Sequence, residues 1–241
     1  MCTVSFLPLG KKICITSNRD EHISRKSNLI PTVETLNGKK IFYPKDSGAG
    51  GTWFSLNEDG TVIVLLNGAF ANHKRQPPYR KSRGLIVLDI ISQDNTLKSI
   101  RGINLESIEP FTLVVFRNWE LWELRWDGTQ KHLKQLDSAK AYLWSSWTLY
   151  DKGAQTKRNG YFERFIVENE VFDTEKILNF HRENHGDHEN GFVIDRQNGL
   201  KTLSITQAVL EEQVIVLDHY DLDSGGKESI TVPSTSLVTP S

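Results

Sequence analysis

With 241 residues, 38% hydrophobic content and 29 basic against 30 acidic side chains, the chain reads as an ordinary globular protein. One large domain of this length buries about three quarters of its unfolded surface. A net charge near zero argues against a general attraction to nucleic acid or anionic membrane. No apolar run reaches the roughly 18 to 20 residues of a membrane span, and the N-terminus lacks the pattern of a signal peptide, so a cytoplasmic protein is expected. Cys2 and Cys14, the only cysteines in the sequence, make neither a disulfide framework nor a paired-cysteine metal motif.

Taken in chain order, TVSFLPL (3–9) and KICITS (12–17) are short, β-branched and separated by Gly-Lys, which predicts a hairpin whose second strand runs into NRDEH. TWFSLN (52–57) and TVIVLLN (61–67) predict a second strand pair. The near-continuous apolar run of the latter marks a central strand buried on both faces. A basic loop containing Pro77-Pro78 (71–83) leads into a predicted helix, with Ser82 in N-cap position and Leu85, Leu88 and Ile91 on one face. FTLVVFR (111–117), WELWELRW (119–126) and KHLKQLD (131–137) continue as a meander, with Asp127-Gly128 at its second turn. Helices are predicted over 152–168 and 173–184, the second capped by Asp173, and 201–210 with 213–220 close the sheet. From 223 onward the Ser/Thr/Pro/Gly-rich composition predicts a flexible tail, leaving 1–222 as a single α+β domain in which antiparallel sheets lie between helical layers.

The chemistry begins at Cys2. Aminopeptidases remove an initiator methionine that precedes a small residue, and the mature chain would then carry a thiol and a free α-amine on one residue. The amine has a reference pKa near 8 and the thiol near 8.5, so the amine can take the thiol proton and the residue becomes a self-activating nucleophile. The competing reading of Cys2 is a small strand residue. The predicted hairpin brings TSNRDE back beside residue 2, where Asp20 would orient the protonated amine, as the third member of a catalytic triad does. Charges there can equally form a solvated turn. Asn67, at the end of the buried strand, could donate to an oxyanion or serve as a turn residue.

Other features draw attention. SGAGGTW lacks the last glycine of a dinucleotide fingerprint and the Gly-Lys-Ser/Thr of a P-loop, and reads as a tight turn into a strand. His181, His185 and His188 fall at spacings of four and three, but Gly186 and Asp187 interrupt the helix and no third ligand type stands near, so no metal site is expected. The loop bearing Lys74, Arg75, Arg80, Lys81 and Arg83 could grip phosphates or carboxylates at the mouth of a site, or simply be solvated. Trp119, Trp122 and Trp126 read as packing residues.

MCT at the start, NRDE at 18–21, GGTW at 50–53 and LNG at 66–68 together resemble the NRDE family, also called the transport and Golgi organisation 2 family, over Met1 to about residue 217. The resemblance implies a four-layer αββα sandwich of the N-terminal nucleophile hydrolase type, related to bile-salt hydrolases, penicillin V acylase and acid ceramidase. It makes Cys2 the nucleophile, Asp20 the catalytic aspartate and Asn67 an oxyanion donor, with Asn18 beside them. It puts Ser17 where those hydrolases carry Arg and Ser146 where they carry Asn. Arg19 would supply a guanidinium from a neighbouring position, strand alternation assigning it to the other face. Arg75, Arg80, Trp53 and Ser146 are the candidate substrate contacts.

The leading expectation is a cysteine N-terminal nucleophile hydrolase or acyltransferase for a small amide, thioester or other acyl substrate, requiring no cofactor. The alternative, kept open by the same resemblance, is a non-catalytic carrier of haem or of lipid or acyl-CoA ligands that uses the same pocket. A purely structural protein is the third possibility.

Overall fold

A computed structural model describes residues 3–25, 31–169 and 171–234 of the chain. The first hairpin forms as expected from β1 (Thr3–Leu9) and β2 (Lys12–His22), turning at Gly10 with φ +67°. Then come β3 (Thr32–Leu36), β4 (Lys39–Tyr43), β5 (Phe54–Asn57) and β6 (Val62–Asn67). Helices α1 (Arg83–Ile91) and α2 (Thr96–Gly102) precede β7 (Phe111–Arg117), β8 (Glu120–Trp126), β9 (Lys131–Leu136) and β10 (Tyr142–Ser145). Helices α3 (Lys152–Glu168) and α4 (Thr174–Arg182) lead to β11 (Leu200–Leu210), β12 (Val214–Asp221) and β13 (Lys227–Pro233).

The strands make two antiparallel sheets, one ordered β10-β1-β2-β11-β12-β13 and the other β3 through β9 in chain order. Apolar clusters fill the three spaces between four layers. Val4, Phe6 and Ile15 of the first sheet meet Phe54, Val64 and Phe116 of the second. Ile63, Leu65 and Val115 on the far face of the second sheet meet Ile86, Val87 and Ile90 of α1. Leu7 and Cys14 on the far face of the first meet Phe162 of α3 and Ile177 and Phe180 of α4. The arrangement is α+β with αββα layering. Strand β6 shows why its sequence has no polar alternation: Val62, Val64 and Leu66 face the other sheet while Ile63 and Leu65 face α1.

One expectation is corrected. Residues 227–233 are not tail but strand β13, paired along β12, with Val232 buried and Ile230 packed against the core between the sheets. The period-two pattern of Ile230 and Val232 decides the conformation there, and Thr231 between them is exposed; residues 235–241 lie outside those described. In α1 the most deeply buried side chains are Ile86, Val87, Ile90 and Ile91, while Leu85 is only partly buried, because the helix packs on β5 and β6 on one side and on α2 on another. Ser82 occupies the N-cap position as expected, with extended backbone, and its carbonyl accepts from the Leu85 and Ile86 amides.

The glycine-rich run 48–51 is the expected turn into a strand. Asp46 Oδ1 accepts from the amides of Gly48 and Ala49, and Gly50 has φ +69°. Gly51 answers a different demand: a Cβ there would come within 2.4 Å of the Gly84 carbonyl carbon, because the approach to β5 lies against the first turn of α1. Gly51→Ala is therefore expected to lower the unfolding free energy in urea by about 1–3 kcal/mol. Gly102→Ala, which meets only open space, should be neutral or stabilising; equal effects of the two would contradict the close packing described.

Candidate active site

At one end of the sandwich the first sheet turns polar. The antiparallel register sets Thr3 opposite Asn18 on one side and Ser145 on the other, so the sequence NRDE lies beside the start of β1. Cys2, the expected nucleophile, lies outside the described residues; it is joined to Thr3. Along β2 alternation divides the motif between two faces. Asn18 and Asp20 point toward α3 and α4. Arg19 shares the face of Ser17, as residues two apart on a strand must, and points toward the second sheet; the assignment of these two to opposite faces is corrected.

All three motif residues are buried, and each is met by a separate set of partners. Asn18 donates to the carbonyls of His181 (2.9 Å) and Phe192 (2.8 Å), and its Oδ1 lies 2.5 Å from His181 Nδ1. His181 Nε2 lies 2.7 Å from the Ser5 hydroxyl, so a ring protonated at Nδ1 satisfies both contacts. Asn18 thus ties β2 to the end of α4. Arg19 lies over the Trp53 ring at 4.5 Å, donates to the Arg25 carbonyl at 3.1 Å and stands 3.7 Å from Asp46. Asp20 accepts hydrogen bonds from Tyr150 Oη (2.7 Å) and Thr202 Oγ1 (2.5 Å).

Asn67 comes from the second sheet. Its carbonyl accepts from Ser146 Oγ (3.0 Å) and from the Trp147 amide (3.1 Å), so the two sheets are joined at this end. Gly68 follows with φ +81°, and a Cβ there would lie 2.9 Å from Trp147 Cβ, which explains the glycine of LNG. The Asn67 side chain lines two adjoining cavities. The wider, of 340 Å³, is bounded by His73, Arg75, Glu109 and Thr148 among others; the narrower, of 80 Å³, runs past Gly51, Trp53 and Gly84. Glu21, Arg25 and Arg83 border both. Asn67 Oδ1 and Trp53 Nε1 are buried without a hydrogen-bond partner among the described residues.

The rim is charged in both senses. Glu109 lies 3.3 Å from His73, 3.4 Å from Arg75 and 3.3 Å from Arg83, while Arg25 pairs with Glu21 (3.0 Å) and Asp46 (2.9 Å). Burial lowers the pKa of Arg83 below the usual guanidinium range. Of the basic loop, then, Arg75 and Arg83 reach the cleft. Arg80 does not, for it donates to the carbonyls of Asn104 and Glu106, and Lys81 pairs with Asp89. Ser146 is fully buried with its hydroxyl bound to the Asn67 backbone and to Thr148, so it braces the cleft floor. His181, His185 and His188 have separate environments: His181 is in the Asn18 network, His185 stacks on Tyr161 and His188 faces Asn184.

Sequence reasoning missed Tyr150 and Thr202, which carry no local signal, and Arg158, which does carry one. Arg158, Phe162 and Phe165 fall at i, i+4 and i+7 of α3, an arginine on an apolar stripe. Its guanidinium is fully buried and donates to Ser145 Oγ (2.8 Å), to Thr3 Oγ1 and to the carbonyls of Asn190 and Gly191.

The two-sheet sandwich and the polar end where its first strand begins define the fold of the N-terminal nucleophile hydrolases. A variant of conjugated bile acid hydrolase from Clostridium perfringens superposes with a TM-score of 0.56 at 9% identity, over 100% of this chain and 99% of that chain. A second variant of the same enzyme gives 0.55 at 9%, with coverages of 100% and 99%. The Caenorhabditis elegans ortholog of N-acylethanolamine-hydrolyzing acid amidase gives 0.60 at 11%, over 86% and 92%. The chain belongs to the Transport and Golgi organisation 2 family, whose model matches residues 1–210. No curated protein sequence matches it.

The Asn18–His181 contact has a pH consequence. Burial, and after it the charge of Arg158, pushes the His181 pKa down to about 3. An unfolded chain protonates this ring below about pH 6.5. The stability that His181 contributes is therefore complete above that pH and is lost as pH falls toward 3. The difference in unfolding free energy between the wild type and His181→Gln should shrink by about 2 kcal/mol between about pH 7 and about pH 5. A pH-independent difference in urea titrations would show that the ring is not held neutral.

Proposed function

We propose that the protein is a cysteine N-terminal nucleophile hydrolase or acyltransferase acting on a small amide, thioester or other acyl substrate. The observation that supports it best is the convergence of three things from separate parts of the chain: the start of β1, the buried Asp20 carboxylate two residues beyond Thr3's partner on β2, and Asn67 from the other sheet at the cleft floor. Once Met1 is removed, the Cys2 amine takes the thiol proton and the sulfur attacks the acyl carbonyl carbon. Asn67 and backbone amides hold the oxyanion, and Asp20, held by Tyr150 and Thr202, orients the ammonium. As the carbon–leaving-group bond breaks, the ammonium gives its proton to the leaving amine or thiol, and a thioester to Cys2 remains. Water, deprotonated by the same amine, then releases the acid and restores the thiol; an acceptor amine or thiol in place of water gives acyl transfer.

The rim supports a second reading, that of a carrier. Arg25 and Arg75 have exposed side chains at the cleft edge and could pair with the carboxylates of haem or of a lipid. A haem titration separates the two readings, since a carrier that uses Cys2 as axial ligand loses its Soret shift in Cys2→Ala.

Intact-mass measurement of protein from cells with normal aminopeptidase is expected to show loss of Met1. Incubation with activated acyl esters and thioesters should then place one acyl group on the peptide that begins with Cys2. Cys2→Ala should abolish the adduct, and Asn67→Ala should slow its formation by about 10²–10³. Quantitative retention of Met1 would rule out the self-activating mechanism.

A further inference from the structure

Arg158 is a fully buried charge. Among the described residues no carboxylate lies within ion-pair distance of its guanidinium; its partners are two hydroxyls and two carbonyls, with the Tyr150 ring 3.9 Å away on one face and Phe192 at 4.7 Å. Removing a cation from water without a paired anion is costly, and the two carbonyls could be served by a neutral donor without that cost. What Arg158 touches is specific to the site. Thr3, which bears Cys2 on its nitrogen, and Ser145, its partner on β10, are both held by the same guanidinium. The ring stacked on it belongs to Tyr150, whose hydroxyl binds Asp20. Cation, ring and carboxylate form one chain of contacts running through the sheet end.

Resting on the reading above, we infer that Arg158 is a positioning residue for the N-terminal nucleophile: it fixes the strand end to which Cys2 is joined, orients Asp20 through Tyr150, and brings a positive charge to that strand end. The charge is felt in the same layer, where it contributes, after burial, to the lowered pKa values of both His181 and His185. The charged groups gathered at this end include Arg158, Asp20 and Arg196, the last also over the Tyr150 ring at 5.5 Å, on the helix side of the first sheet, and Arg19 on the other. A fixed cation close to a thiol favours the thiolate, the nucleophilic form. Arg158 is thereby assigned a role complementary to that of Asp20: one holds the base after protonation, the other favours the sulfur anion before attack.

The chain supplies its own control for testing this. Cys14 is fully buried and its thiol is pushed up to about 12, so it labels only when the fold opens. The rate of iodoacetamide labelling would be followed at both cysteines by peptide mass, on protein lacking Met1. Arg158→Met should slow Cys2 labelling about tenfold, the change in thiolate fraction for one pKa unit, with Cys14 still protected. Arg158→Lys, which restores the charge without the fork, should recover part of the rate. An unchanged Cys2 rate in Arg158→Met with Cys14 protected overturns the assignment. If Cys14 labels in that variant, Tyr150→Phe decides, since it removes only the hydroxyl that reaches Asp20: slower Cys2 labelling supports the contact chain and an unchanged rate overturns it. A wild-type Cys2 no faster than cysteine in a short peptide defeats the nucleophile reading itself, and this inference with it.

Discussion

Strand β2 imposes the demand that the rest of the molecule meets. Its buried first half runs into Asn18, Arg19 and Asp20, all three taken out of water at consecutive positions. An amide, a cation and an anion buried side by side would each cost several kcal/mol without partners. The fold supplies those partners from three directions. Helix α4 and the segment around Phe192 receive Asn18, the turn at Asp46 and the Trp53 ring receive Arg19, and Tyr150 with Thr202 receives Asp20. The four-letter motif is thus the point at which both sheets and a helical layer are held to one another.

That view explains the other short motifs in physical terms. Gly51, meeting Gly84, lets the chain pass close against the first turn of α1 just before Trp53, whose ring lies over Arg19. Gly68 lets the end of β6 approach Trp147, and this approach allows Ser146 and Trp147 to bind the Asn67 carbonyl. In each case backbone proximity comes first and the polar contact follows from it.

Much of the fold was legible because its strands and helices carry strong local patterns. Strand β7 and helix α3 fall on the ranges read from periodicity, and Asp173 caps α4 through the Lys176 amide. Strands β3, β4 and β10 and helix α2 escaped, being short or half exposed, so that their alternation is weak. Strand β13 escaped because composition was weighed above the alternation of Ile230 and Val232. At the site, Asp20 and Asn67 could be named since strand pairing and strand ends are local inferences. Tyr150 and Thr202 could not, because their role depends on contacts across 130 and 182 positions of sequence. Arg158 was readable as an arginine on an apolar stripe, but the sequence alone offers nothing to say which buried groups it would meet.

The clamp between Asn67 and the Ser146–Trp147 segment divides the cleft into two kinds of material. Its floor is made of strand ends fixed by hydrogen bonds from both sheets, while its rim, with His73, Arg75, Arg83 and Glu109, is carried largely by loops. Substitutions on the rim can change the charge and breadth of the opening without disturbing the pairing that sets the floor. Such a division leaves the opening free to change shape and charge over a floor whose geometry stays the same.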